Sequence, residues 1–283
     1  MIRLNRCGLL LLLALPSLLL VGCASMVDRS EYTQVKTIAV VSLYADEFVP
    51  DSQGRGHIVD WGPAFRASVA EDALNAFNRE FFRLGWDVVS SDPVLASPTY
   101  QKAFGRQKMI EEELSSSKNE TENVVITRPE SAYFSPGNML PITLEDVNIG
   151  AEGESVTLSK RQQLDMLGQM ARDLKVDAVA LVYVDYCYQD QEYSSVGTGL
   201  AVMTASSTIR VVNQAGDLVI DMPMEERCAG DRGESRSTAT MYDGNLEFEK
   251  VDRSGVKRMF SEATRHSALI SVTKVREAVG LNG

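Results

Sequence analysis

The sequence predicts an α/β fold: a mixed β-sheet flanked by helices, with a long insertion and a C-terminal helix. Three observations predict it. Residues 36–43 and 177–186 are nearly continuous apolar runs rich in β-branched side chains, the pattern of strands covered on both faces by helices. Phe65, Val69, Ala73, Phe77, Phe81 and Leu84 recur at steps of four and three, the apolar stripe of one helix face. A glycine- and serine-rich stretch at 196–212, a turn at 214–217 and a second apolar run at 218–222 read as a hairpin.

The N-terminus has three zones. Arg3 and Arg6 are basic, residues 9–21 are apolar apart from Ala14, Pro16 and Ser17, and Gly22 precedes Cys23. A secretory apolar region runs roughly 7–15 residues, whereas a membrane span needs about 20. The segment is too short to span, so cleavage is expected. Leu20-Val21-Gly22-Cys23 resembles the lipobox of bacterial lipoproteins. That resemblance implies a signal peptide over 1–22, cut before Cys23, whose thiol takes a diacylglyceryl group. An ordinary signal peptide beside an incidental cysteine is the competing reading. A single acyl chain holds a protein only marginally, and three hold it durably. Ala24 stands where inner-membrane lipoproteins of enteric type carry aspartate, so the resemblance implies sorting to the outer membrane, facing the periplasm. Residues 23–35 are expected to be a short lipidated tether, and 36–283 a single periplasmic domain.

Across the whole chain 28 basic side chains face 39 acidic ones, a net charge of −11. Loss of residues 1–22 removes Arg3 and Arg6 and no acid, so the mature chain stands at −13. Such a balance opposes nucleic-acid binding, which wants a basic face, and opposes lying flat on anionic lipid. Cys7 leaves with the signal and Cys23 takes lipid, so Cys187 and Cys228 remain. In an oxidising compartment an even pair invites a disulfide. Both cysteines are expected just beyond strands, Cys187 past the central one and Cys228 past the hairpin. Two free thiols remain the alternative.

After the first strand, residues 44–62 read as a loop. Asp46, Glu47, Asp51 and Asp60 fit no calcium-loop spacing, and a solvated acidic loop is expected. His57 lies there without a partner pattern. Pro63 suits the first turn of the following helix and Gly85 its end. Residues 86–90 are the second strand, closed by Asp92-Pro93. An insertion of about 98–156 follows: a polar helix near 99–114, a polar run at 115–123, a short strand at 124–127, then proline-punctuated chain. Long irregular segments are often functional. Tyr133, Phe134, Met139 and Leu140 either meet a partner or pack the insertion onto the domain. Ser159 and Gln162 form a capping box ahead of a helix with Leu164, Leu167, Ala171 and Leu174 on its buried face. Residues 227–243 read as a loop. A final helix over 250–279 places Val256, Phe260, Ala263, Ser267 and Ile270 inward, with His266 beside them at the surface.

Residues 37–41, the helix–strand passage 73–89, and the passage 167–184 with Asp177-Ala178 at the strand's start resemble periplasmic lipoproteins of the CsgG, LpoB and PelC type. Those are related in fold to the TolB N-terminal domain. Tyr44-Ala45-Asp46-Glu47 stands where that group usually has a polar Asn/Thr stretch, and the insertion is a second departure. The resemblance implies a CsgG/TolB-N-like domain and a non-enzymatic role, binding or assembling an envelope partner or copies of itself. The alternative is a subunit of an oligomeric secretion pore of the curli-channel type, with 196–212 as its membrane hairpin. Neither Gly-x-Ser-x-Gly, His-Glu-x-x-His, a phosphate loop nor Cys-x-x-Cys occurs, so no catalytic, metal or cofactor residue is assigned.

Overall fold

The structure, a computed structural model, describes residues 26–46, 48–50, 56–58, 62–102, 133–137, 139–142, 144, 147–149, 156–193, 198–223, 240–243 and 253–281. The strands are β1 (Met26–Val27), β2 (Thr37–Asp46), β3 (Phe48–Pro50), β4 (Gly56–Ile58), β5 (Asp87–Val89), β6 (Tyr133–Phe134), β7 (Val147–Ile149), β8 (Val156–Leu158), β9 (Ala178–Tyr193), β10 (Thr198–Asn213), β11 (Leu218–Met222) and β12 (Thr240–Asp243). The helices are α1 (Arg29–Tyr32), α2 (Gly62–Arg83), α3 (Ser91–Ala96), α4 (Lys160–Leu174) and α5 (Arg253–Val279); residues 98–102 are also helical.

One mixed sheet carries the fold, in the order β1-β11-β10-β9-β2-β5. β2 pairs in parallel with β5 and β9, and the β9–β10–β11–β1 half is antiparallel. The parallel pairs follow from crossovers, because the chain must cross back over the sheet, here through α2 and through α4, to restart a strand in the same direction. Two short strands complete it: β6 on the end of β2, and β12 on the end of β10.

The apolar runs behave as expected. Alternate residues of β9 enter opposite cores: Ala178, Ala180, Val182 and Val184 lie under α2 and α5, while Val179 and Leu181 lie under α4. The α2 stripe from Phe65 to Phe81 packs in the first core, and Gly85 follows the helix at φ +88°, a backbone that glycine adopts at no steric cost. On α4, Ser159 accepts from the Gln162 N–H and the Gln162 side chain accepts from the Ser159 N–H, so the capping box is present. The C-terminal helix buries Val256, Phe260, Ala263 and Ser267, with Ile270 half-buried and His266 exposed.

Several expectations are corrected. Met26 to Val35 is not a free tether. β1 pairs with β11, Asp28 caps α1, and the Tyr32 ring lies 5.3 Å from Trp86 in the core. The 44–62 segment is not all loop, since β2 runs to Asp46 and β3 pairs with β4, which holds His57. Asp92-Pro93 does not close a strand but stands in the first turn of α3, where a proline forfeits no helical hydrogen bond. The 227–243 loop contains β12. In the insertion, Phe134, Met139 and Leu140 are buried, so of the two readings for these three the structure selects packing. The proposed segments 115–123 and 124–127, and most of 99–114, lie outside the described residues.

A bulge explains how the insertion docks. The β2–β9 register slips between Val40 and Ser42, which aims both Val41 and Ser42 at the α4 side. The buried Ser42 hydroxyl donates to the Leu140 carbonyl (2.6 Å) and accepts from the Ile142 N–H (2.9 Å). The Tyr100 hydroxyl accepts from the Leu140 N–H (2.6 Å). Residues 139–142 thus find backbone partners without joining the sheet, as buried backbone groups must.

Candidate functional site

The small side chains of β10 let α5 lie close against the sheet. Hydroxyls there satisfy one another: Ser267 donates to Ser207 (2.9 Å), Ser207 and Ser271 share a bond (2.8 Å), and Tyr186 and Thr264 share another (2.6 Å). Tyr186 meets Phe260 edge-on at 4.6 Å, and Phe134 lies 5.3 Å from Phe260. This seam fixes α5 along the sheet, and α2 packs beside it.

The two helices run in the same direction. Phe81, near the end of α2, lies 6.0 Å from Trp86, which packs on Tyr32 of α1. At the end of α5, the Ala278 carbonyl accepts from Arg29 Nε of the same short helix (2.8 Å). Both C-terminal ends therefore converge on α1.

Between α2 and α5 opens a groove of about 510 Å³. Asp72, Asn75 and Arg79 line it from α2, at three- and four-residue steps that share one helix face. Lys257, Arg258, Ser261 and Arg265 line it from α5. The Ser261 hydroxyl donates to Asp72 Oδ2 (2.7 Å), and Lys257 Nζ lies 3.5 Å from the same oxygen. Arg79 Nε lies 3.5 Å from the buried Glu80 carboxylate. Arg258 and Arg265 form no ion pair among the described residues. Among the described residues four cations thus line the groove against the single carboxylate Asp72, in a chain whose net charge is −11. Sequence reasoning missed this inversion because it weighed charge over the whole chain. The signal was there in Arg258 and Arg265, seven residues apart, which puts them on one side of the helix two turns apart.

Of the residues singled out in the sequence, Cys23 and Cys228 lie outside the described residues. Cys187 is disulfide-bonded and 3% exposed. It does not lie just past the central strand but within it, opposite Thr204 of β10, because β9 continues to Tyr193. Among the described residues no group of three His, Cys, Asp or Glu side chains is placed to hold a metal ion, and no helix is long and apolar enough to cross a membrane.

Asp177 of the Asp-Ala step has a structural task. Its Oδ2 accepts from the Lys36 N–H (2.8 Å), the Thr37 N–H (2.8 Å) and the Thr37 hydroxyl (3.0 Å), locking the starts of β2 and β9 together. Burial pushes its carboxyl up, but these donors and the Lys36 charge outweigh it and hold the pKa below the usual carboxylate value.

No family model and no curated protein matches this chain. The architecture therefore defines a class, a mixed-sheet α/β domain with a cationic inter-helix groove, and the functional reading rests on the chain's own residues.

Proposed function

We propose that this chain is a lipid-anchored envelope protein, acylated at Cys23, whose periplasm-facing domain binds or assembles partners at the outer membrane without catalysing a reaction. The observation that carries the reading is the spacing between the lipobox and the fold. Met26 already pairs in the sheet, three residues after Cys23. Three residues reach at most about 11 Å. An acylated Cys23 would hold the domain against the bilayer, with the α1 end nearest the anchor. The bonded Cys187 suits an oxidising compartment. Its proposed partner is Cys228, the cysteine left once the signal peptide and the lipidated position are set aside. A bridge over roughly 40 residues restricts the unfolded chain by about 4 kcal/mol in the entropic model. The mixed sheet with flanking helices is compatible with a CsgG/TolB-N-like fold, which belongs to this proposal.

Crosslinking in intact cells tests the reading. A defined foreign band supports partner binding, and a self-ladder supports assembly of copies. Monomer alone, at every crosslinker length, contradicts both.

One observation favours the pore reading. β9 and β10 are 16 residues each, and β2 stops pairing with β9 at Val184. Nine residues of β9 follow, near the roughly 9–11 that a tilted membrane strand needs. Their composition opposes it. Asp185, Gln189, Asp190, Gln191 and Glu192 leave neither alternate set of positions apolar, as a lipid-facing strand requires. Partner binding in the periplasm is therefore the reading put forward.

A further inference from the structure

We propose that the groove between α2 and α5 is a binding site for a phosphate ester. The proposal stands on the groove alone and survives the failure of lipidation at Cys23. A dianionic phosphate offers acceptor oxygens in several directions, whereas a carboxylate is satisfied by one guanidinium fork. Here Arg79 stands on one wall and Arg258 and Arg265 on the other, so donors approach from two sides. Guanidinium groups are weakly hydrated, fixed in charge and shaped for bidentate contact with phosphate oxygens. Asp72 repels an anion, but it is occupied by Lys257 and Ser261 and holds both in place. About 510 Å³ suits a small organic molecule, within the roughly 300–1,000 Å³ of ordinary ligand sites.

Two exposed apolar side chains near the groove bear on which phosphate ester it takes. Phe82 is 66% exposed and Leu269 44% exposed. Phe82 follows Arg79 by three residues and Leu269 follows Arg265 by four, so each continues its helix's edge past the cations. Neither lines the groove, but because the helices run in the same direction both lie beyond it on the side of α1. Hydrocarbon reaching past the lining to Phe82 and Leu269 marks a lipid ligand, whereas a water-soluble phosphoester stays at the arginines. A lipid headgroup and a water-soluble phosphoester share the phosphate chemistry.

The test is calorimetric titration of the full chain in a nonionic detergent. The probes are dihexanoyl phosphatidic acid, dihexanoyl phosphatidylcholine and inorganic phosphate. Binding of phosphatidic acid at least tenfold tighter than phosphate assigns a lipid headgroup. Equal binding of the two assigns a soluble phosphoester. In either case Arg258→Ser with Arg265→Ser should weaken binding at least tenfold, and Asp72→Asn should strengthen it several-fold. Circular dichroism checks that the double variant is folded, and Arg258→Lys with Arg265→Lys should keep part of the affinity. No binding of phosphatidic acid or phosphate, equal binding of phosphatidylcholine, or affinity unchanged in the folded double serine variant would overturn the proposal.

Discussion

The face of the sheet under α2 and α5 is packed with rings, and the face under α4 is packed with aliphatic chains. On the first, Phe77, Phe81, Trp86, Phe134, Tyr186 and Phe260 interlock with a seam of paired hydroxyls behind them. On the second, Leu167, Met170, Ala171, Val179 and Leu181 pack with one large ring, Tyr100, and with the returning chain at Leu140, Ile142 and Leu144. The ring-packed face is made by two long helices and carries the groove. The aliphatic face is made by α4 with the short α3 and the helical residues 98–102 beside it, and is closed by a loop. Rings filling the ground beneath α2 and α5 fix the spacing of the two helices that carry the cations. The loop-closed face depends instead on a few hydrogen bonds to buried backbone.

That contrast can be broken by substitution. The largest effect is expected from Phe260→Ala, which removes the ring that meets Tyr186, Phe134 and Phe65. A loss of about 3–5 kcal/mol in denaturant unfolding is expected. A loss below about 1 kcal/mol would show that the ring-packed floor is not what holds the helices.

Gly168→Val probes the other face. A Cβ at Gly168 would meet the Gly216 nitrogen at 2.7 Å and the Gln214 carbonyl at 3.0 Å, so α4 and the β10–β11 turn would have to separate. A loss of about 1–3 kcal/mol is expected. Unchanged stability would mean that the turn yields freely.

Tyr100→Phe tests the hydrogen-bonded closure. It strands the buried Leu140 N–H, with about 1–3 kcal/mol lost. It also carries a pH signature. Burial pushes the Tyr100 phenol up to about 12 against the partial relief of the Leu140 donor. The folded state then keeps a proton that the unfolded chain releases near 10, so stability falls as pH rises from about 10 toward 12. Tyr186, raised chiefly by burial, adds in the same direction. The phenylalanine variant should show a shallower alkaline decline in thermal melts, and an identical decline would remove Tyr100 from the account.

The smallest effect is expected at Asp177, whose donors Lys36 and Thr37 tie the starts of β2 and β9 within the sheet itself. Its folded pKa is lowered, so its contribution is present above the ordinary value of 3.8 and lost as pH falls through the lowered folded value. Asp177→Asn should cost about 1 kcal/mol at neutral pH and flatten the acid limb of the stability curve. An unaltered acid limb would place the titration elsewhere.

The comparison also separates what was legible in the sequence. Elements with unbroken periodicity were readable: the Phe65-to-Phe81 stripe, the 178–184 run and the Ser159 capping box. The closure of the aliphatic face was not, because it depends on a bulge at Val41 and Ser42. A one-residue slip leaves no mark in an apolar run, and nothing in the run distinguishes Ser42 as a clamp. The N-terminal segment was misjudged for a similar reason. Two residues of strand and four of helix are too short for any period, and their stability comes from pairing with β11 and from Tyr32 against Trp86. The groove escaped notice because its residues come from helices separated by about 180 positions, with no local motif to join them.

The central claim is that the folded domain is held against the membrane by a lipid on Cys23. Mass spectrometry of the N-terminal peptide, from protein extracted from cell envelopes, tests it most directly. The expected result is a peptide that begins at Cys23 and carries a diacylglyceryl group and an N-linked acyl chain, with uncleaved precursor accumulating in Cys23→Ser. An unmodified cysteine, or a free N-terminus at any other position, would contradict it.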